Sequence, residues 1–293
     1  MRKSFLTVVF VATLLTLTSA QSVRAADPPA PLKGLLITGG CCHDYENQKT
    51  IITQGISQRV NISWDIVHEG GTGRDHKVSA YSRKNWASGY DVIVHNECFG
   101  GVTDDEFVSS IAAAHHEGVP AVFIHCALHS YRNAAVGADS WRELIGVTSR
   151  SHEGKRGVLV QRLIDDHPVM QGFPETWQTP NGELYKIEKV WSNCIPLARA
   201  YGEDTKKDHP VIWVNTFGKA RVFGTSLGHH NETMNTSEWL DVVSRGVLWA
   251  TDHIRPNGRP MKGYEGTGVT PIVLRKGPPE PKPDSGVPPQ DRR

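Results

Sequence analysis

The feature that most constrains this chain is an alternation in its first half, where short apolar runs are separated by segments of helical period. The runs read LKGLLIT (residues 32–38), ISWDIVHE (62–69), YDVIVHNE (90–97) and PAVFIHC (120–126). Between them lie residues 48–59 and 103–116, the second opening on Thr103 and Glu106 at the spacing of a capping box. A strand followed by a helix returns to pair in parallel with its predecessor, so the repeat predicts βαβ units and a mainly parallel sheet. The second half changes character. GVLVQRLI, LYKIEKVW, PLARAYG, PVIWVNTFG and ARVFGTSLG follow one another with short turns, which predicts added antiparallel strands before a closing helix over residues 237–252.

The two ends do not share this pattern. Arg2 and Lys3 precede an apolar run (residues 5–17) and then small residues, with cleavage patterns ending at Ala20 and Ala25. This is the layout of a secretory signal peptide, expected over residues 1–26, and the run is shorter than the roughly 18 residues that a lasting membrane anchor needs. The chain is therefore expected to be exported to a periplasm or the medium, with no stable membrane anchor. From Arg255 the sequence turns to Pro, Gly and charge. A folded domain is expected over residues 31–254, followed by a tail (255–293) whose only apolar island, VTPIVL, could dock on the domain.

Charge excludes one class of partner. The 32 basic residues nearly balance the 31 acidic ones, with no long Lys/Arg cluster to follow a phosphate backbone, so no nucleic-acid partner is expected. GGCCHD lacks GxGxxG spacing and no GxxxxGK[ST] loop occurs, so neither NAD nor ATP is expected as a cofactor. The five cysteines (Cys41, Cys42, Cys98, Cys126, Cys194) are odd in number and show no CxxC spacing. They do not describe a disulfide scaffold, and adjacent Cys41 and Cys42 are each expected to pair, if at all, with a distant partner.

In open parallel sheets ligands sit beyond the carboxyl ends of the strands. Here those positions are rich in histidine. His43 and Asp44 follow the first run; His95, Asn96 and Glu97 close the third; His125, Cys126 and His129 follow the fourth; His229, His230 and Glu232 follow ARVFGTSLG. Each histidine alone is more often a satisfied polar residue than a ligand. Imidazoles and carboxylates converging from four strand ends are what a divalent metal or an acid/base site requires.

These same residues carry a resemblance. TGGCCHDYE, GVPAVFIHCA, HPVMQGFP, ELY and RVFGTSLGHH look like the ThuA-like (trehalose utilisation) proteins, over about residues 33–254. The resemblance implies a flavodoxin-like three-layer sandwich of the class I glutamine amidotransferase type, with a mainly parallel sheet plus added antiparallel strands. It also implies a part in sugar or disaccharide use, including oxidised keto-sugars. Amidotransferases of that superfamily carry a nucleophilic cysteine on a sharp turn in GxPxxGICxGxQ. Aligned with GVPAVFIHCALH, that cysteine falls on His125, with Cys126 one position later and His129 at the glutamine. Glutaminase chemistry is therefore not expected, and Cys126 reads as a small buried residue.

An imidazole on that turn suits a metal ligand or a general acid/base. A divalent ion, with zinc as the first expectation, could be held by His43, His125, His229 and Glu183 of NGELY, the same four serving as the catalytic set. Asp44, Asn96, Glu97, His129, Arg132 and His230 are the candidate substrate-binding groups, Asp44 being equally able to cap the helix that follows. Trp141, Trp177, Trp191 and Tyr185 could stack on a sugar ring or fill the core. Three functions stay open: a metal-assisted hydrolase, isomerase or lyase acting on a small carbohydrate, a hydrolase built on Cys126 and a histidine, and a sugar-binding module without turnover. Oligomeric state is not legible in the sequence.

Overall fold

A computed structural model describes residues 29–275, so the expected signal peptide and residues 276–293 of the tail lie outside the described residues. The first half runs β1 (Leu32–Gly40), α1 (Tyr45–Ser57), β2 (Ile62–His68), β3 (Val92–Cys98), α2 (Asp105–His116), β4 (Ala121–Ile124) and α3 (Gly137–Ile145). Then follow β5 (Val147–Lys155), β6 (Leu159–Arg162), β7 (Thr176–Gln178), β8 (Glu183–Val190), β9 (Ile195–Gly202), β10 (Lys207–Phe217), β11 (Ala220–Thr225), α4 (Asn231–Met234) and α5 (Ser237–Ala250).

Nine strands form one mixed sheet in the order β2-β1-β3-β4-β11-β10-β9-β6-β7. Strands β2, β1, β3, β4 and β11 are mutually parallel, whereas β10, β9, β6 and β7 join antiparallel. The sheet is thus evenly mixed rather than mainly parallel. The reason lies in the connections, because the tight links between β9, β10 and β11 can only reverse the chain. LYKIEKVW also departs from the expected layout: as β8 it leaves the large sheet and pairs with β5 in a separate two-stranded ribbon.

Alternation along each strand divides the core. On β1, Leu36 faces one cluster with Ile51 and Ile52 of α1 and Val243 and Val247 of α5. Its neighbours Leu35 and Ile37 face the other, with Val108 and Ile111 of α2 and Trp141 and Leu144 of α3. Helix α1 is capped by Asp44, whose carboxylate accepts from the Asn47 N–H at 3.2 Å. Helix α2 begins at Asp105 and is capped by Asp104, which accepts from the Phe107 N–H at 2.9 Å; Thr103, read as the cap, lies one residue too early.

Residues 255–275 return across α1 and β2. The Asn61 N–H donates to the Tyr264 carbonyl at 2.9 Å and Gln58 Nε2 to the Thr270 carbonyl at 2.9 Å, while Ile272 and Leu274 of the apolar island rest on the core. Among the described residues no helix is long and apolar enough to cross a membrane.

Candidate functional site

The carboxyl ends of β1, β4 and β11 meet the start of β8 at one edge of the sheet, and each delivers one residue of the site. At the end of β1 the backbone turns sharply at Gly39, whose φ of 123° only glycine adopts readily and where a Cβ would strike the Glu69 carbonyl; Cys41, Cys42 and His43 follow. After β4, His125 itself takes a left-handed φ of 44° and opens the one-turn helix His125–His129. That conformation is strained for a residue with a Cβ and recurs where a side chain is presented to a site. Beyond β11, Gly228 with φ 122° turns the chain into His229, and Glu183 heads β8.

His125 Nδ1 lies 2.7 Å from the Ser226 carbonyl oxygen, which can only accept, so Nδ1 carries the proton and Nε2 keeps its lone pair. That Nε2 is 3.2 Å from His229 Nδ1 and 3.5 Å from Glu183 Oε2, and His229 Nδ1 is 3.4 Å from the same oxygen. The Tyr185 hydroxyl stands 3.3 Å from His125 Nε2. The His43 ring lies edge-on to both imidazoles, at centroid distances of 4.9 Å to His125 and 4.6 Å to His229. One ligand atom from each of the three histidines falls within 4.8 Å of the others. His43 Nδ1 and His229 Nε2 are buried without a hydrogen-bond partner among the described residues.

Burial lowers the pKa of His125 against the opposing pull of Glu183, and burial together with the neighbouring His125 and His229 holds His43 well below its ordinary value. Burial would raise the Glu183 carboxyl; the facing His125 and His229 imidazoles outweigh it and hold the group well below the usual carboxylate range. His43 and His125 are therefore neutral donors beside an ionised carboxylate. That is the protonation state a divalent cation requires of its ligands.

A cleft of about 230 Å³ opens on this edge. His43, Glu183, His229, Tyr185, His129 and Arg132 line it, and His125 lies directly behind them. His129 stacks on Tyr185 at 3.9 Å and bonds Ser149 Oγ at 3.0 Å, so its ring is held as part of the wall. Four of the expected substrate contacts lie elsewhere. Asn96 is buried between Thr38 and Gln48, to which its amide donates at 3.1 and 3.2 Å. Glu97 is fully buried beneath the sheet edge and accepts from the Tyr81 hydroxyl at 2.6 Å. Asp44 is occupied as the α1 cap and accepts from Asn231 Nδ2 at 2.9 Å, and His230 sits outside the cleft wall at the start of α4. Of the aromatic candidates only Tyr185 reaches the cleft, since Trp141 and Trp177 are core and Trp191 bonds Thr148.

The sequence reading missed His152, whose Nδ1 approaches Glu183 Oε1 at 3.1 Å from β5. It sits in the polar run SRSHEGK, where no apolar rhythm marks a strand facing a site. The cysteines also depart from expectation. Cys41 is paired with its own neighbour Cys42, Cys98 is paired with Cys126, and all four line the cleft. The adjacent pair closes locally because Cys42 takes a left-handed φ of 85° after the two turning glycines. Cys126 is buried, as expected, and also borders the cleft, with its sulfur bound to Cys98.

Fold and site together define an α/β protein with a large mixed sheet whose strand ends hold three imidazoles and a carboxylate in one cleft. Residues 40–250 match the family model for trehalose utilisation, ThuA, so the chain belongs to the ThuA family. Its structure is similar to that of a ThuA-like protein from Parabacteroides merdae, at a TM-score of 0.62 and 19% identity over 80% of this chain and 97% of that one. A ThuA-like protein from Bacteroides uniformis is similar at a TM-score of 0.57 and 15% identity, over 78% of this chain and 96% of that one. At these identities the likeness speaks to fold alone. No curated protein matches the sequence.

Proposed function

We propose that this chain is an exported enzyme acting on a small carbohydrate, a sugar or keto-sugar, with a divalent ion, zinc by its donor set, held by His43, His125, His229 and Glu183. The scaffold for this reading is the flavodoxin-like, class I glutamine amidotransferase-like sandwich without that class's nucleophile. The observation that carries it is the triangle of His125 Nε2, His229 Nδ1 and Glu183 Oε2, with edges of 3.2, 3.4 and 3.5 Å. Ligands about 2.0–2.1 Å from a tetrahedral zinc lie about 3.3 Å apart, so the donors already stand at the spacing of one coordination face. The unpartnered Nδ1 of His43 supports the same reading, because buried polar atoms without partners are rare unless a ligand takes them up.

Such an ion supplies Lewis acidity toward a sugar carbonyl or hydroxyl. The chain's own groups would do the rest. The Ser226 carbonyl fixes the His125 tautomer, and Tyr185 and His129 form a flat wall against which a sugar ring can lie. Arg132 offers donors at the rim, and exposed His152, beside Glu183, can carry a proton between cleft and solvent. Removal of a proton beside a carbonyl would give isomerisation or elimination, and activation of water would give hydrolysis. The family's description, trehalose utilisation, supports carbohydrate as the substrate class. A second reading, a hydrolase built on Cys126, draws on that residue's place in the cleft wall, and it requires the Cys98–Cys126 bond to be opened first.

The test is turnover of a panel of disaccharides and keto-disaccharides by zinc-loaded protein and by a His125→Ala variant. Turnover that falls at least 100-fold in the variant is expected. Equal turnover in both would contradict the metal reading, and saturable sugar binding without turnover would mark a binding module.

A further inference from the structure

Four of the five cysteines stand together on the cleft wall, delivered by three adjacent strands. Cys41 and Cys42 follow β1, Cys98 ends β3 in register with Gly40, and Cys126 follows β4. They form two pairs of unequal access: Cys42 is exposed, whereas Cys41, Cys98 and Cys126 are buried. The pairs touch, since Cys41 Sγ lies 3.8 Å from Cys98 Sγ. Disulfide exchange requires a thiolate in contact with a disulfide sulfur, and an outer pair with one exposed sulfur against a buried pair supplies that contact. Cys194 takes no part. It is buried apart from the others, and burial pushes its thiol up to about 12.

We propose that Cys42, Cys41, Cys98 and Cys126 form a relay that takes an electron pair from an external dithiol at Cys42 and frees a thiol at Cys126, next to His125. In the first step a thiolate of the external dithiol attacks Cys42 Sγ. The Cys41–Cys42 bond breaks, a mixed disulfide forms at Cys42, and Cys41 leaves as a thiolate. Cys41 then attacks Cys98 Sγ, forming Cys41–Cys98 and expelling Cys126 as a thiolate. The second thiol of the external dithiol resolves the mixed disulfide, leaves as the oxidised disulfide and releases Cys42. One dithiol is oxidised by two electrons, one of the chain's two disulfides is reduced, and the dithiol's two protons pass to Cys42 and Cys126. The consequence is local to the cleft, where a sulfur donor appears in the wall one residue from His125. Nothing in this exchange depends on what the imidazoles hold.

The experiment treats oxidised full-length protein with one molar equivalent of dithiothreitol, quenches with acid, alkylates the free thiols and maps the peptides by mass spectrometry. The relay predicts label on Cys42 and Cys126 and a Cys41–Cys98 crosslink. Label confined to Cys41 and Cys42, with Cys98–Cys126 intact, would overturn it. So would full labelling of all four cysteines before any reductant is added, whether the thiols are then free or bound to a metal. In a Cys41→Ser variant, labelling of Cys126 at one equivalent should fall at least tenfold; unchanged labelling would mean that the buried pair is reduced directly and would equally overturn the relay.

Discussion

His115 shows how much individual side chains here depend on protonation. At the end of α2 its ring is fully buried, with Nδ1 2.7 Å from the Val119 carbonyl and Nε2 3.1 Å from His95 Nε2. Burial, with the neighbouring His95, lowers its pKa from 6.5 to about 3. Between those values the unfolded chain binds a proton that the folded chain refuses, so this contribution to stability is whole above pH 6.5 and is lost as the pH falls toward 3. At about 1.4 kcal/mol per unit the loss is on the order of 5 kcal/mol. His43, His125 and His129 are shifted in the same direction, each chiefly by burial. The urea midpoint is therefore expected to drop steeply between pH 6.5 and pH 4; a midpoint constant over that range would contradict the buried neutral state. The residue scale is also where sequence reading reached furthest and failed most sharply. His43, His125 and His229 were legible because a polar residue directly after an apolar strand has few structural uses. Asn96 and Glu97 give the same signal and are buried. What buries them, Gln48 on α1 and Tyr81 in the 3-10 turn Ser79–Ser82, comes from parts of the chain that carry no mark of the contact.

Elements are held in place by close approaches that a pattern of apolar residues does not reveal. Gly246 lies inside α5 with its backbone against the Phe223 ring of β11, and a Cβ there would run into that ring. Alanine is the better helix former by about 1 kcal/mol, while overpacking a filled core costs about 1–3 kcal/mol, so packing decides the sign. A Gly246→Ala variant is expected to melt about 2–6 °C lower; an unchanged or higher melting temperature would mean that the interface yields. Strands β1, β3 and β4 were plain in their unbroken apolar runs, because a strand covered on both faces has no polar side. Helix α3 was passed over although Ala138, Trp141, Leu144 and Ile145 make a helical stripe, since it is short and follows an irregular loop. The alternation of LYKIEKVW marked a strand but not its partner. Partner choice is long-range: β5, which β8 pairs with, carries almost no apolar signal of its own.

At the scale of the molecule, the sheet works as a frame that brings distant segments to one edge. Residues 43, 125, 183 and 229 meet there because parallel strands β1, β4 and β11 all point their carboxyl ends the same way and the ribbon of β5 and β8 folds over that edge. Residues 255–275 run along α1, from Asn61 and Gln58 beyond its carboxyl end to Asn47 in its first turn, which extends the packed unit beyond the point where the sequence turns to Pro, Gly and charge. The proposed function requires the four side chains at the edge to hold a divalent ion. Elemental analysis of the purified protein, dialysed without chelator beside a His125→Ala variant, tests it most directly. Close to one zinc or equivalent divalent ion per chain is expected in the wild type, with most of it lost in the variant; a wild type without bound metal, or a variant that keeps it in full, would contradict the proposed ion site.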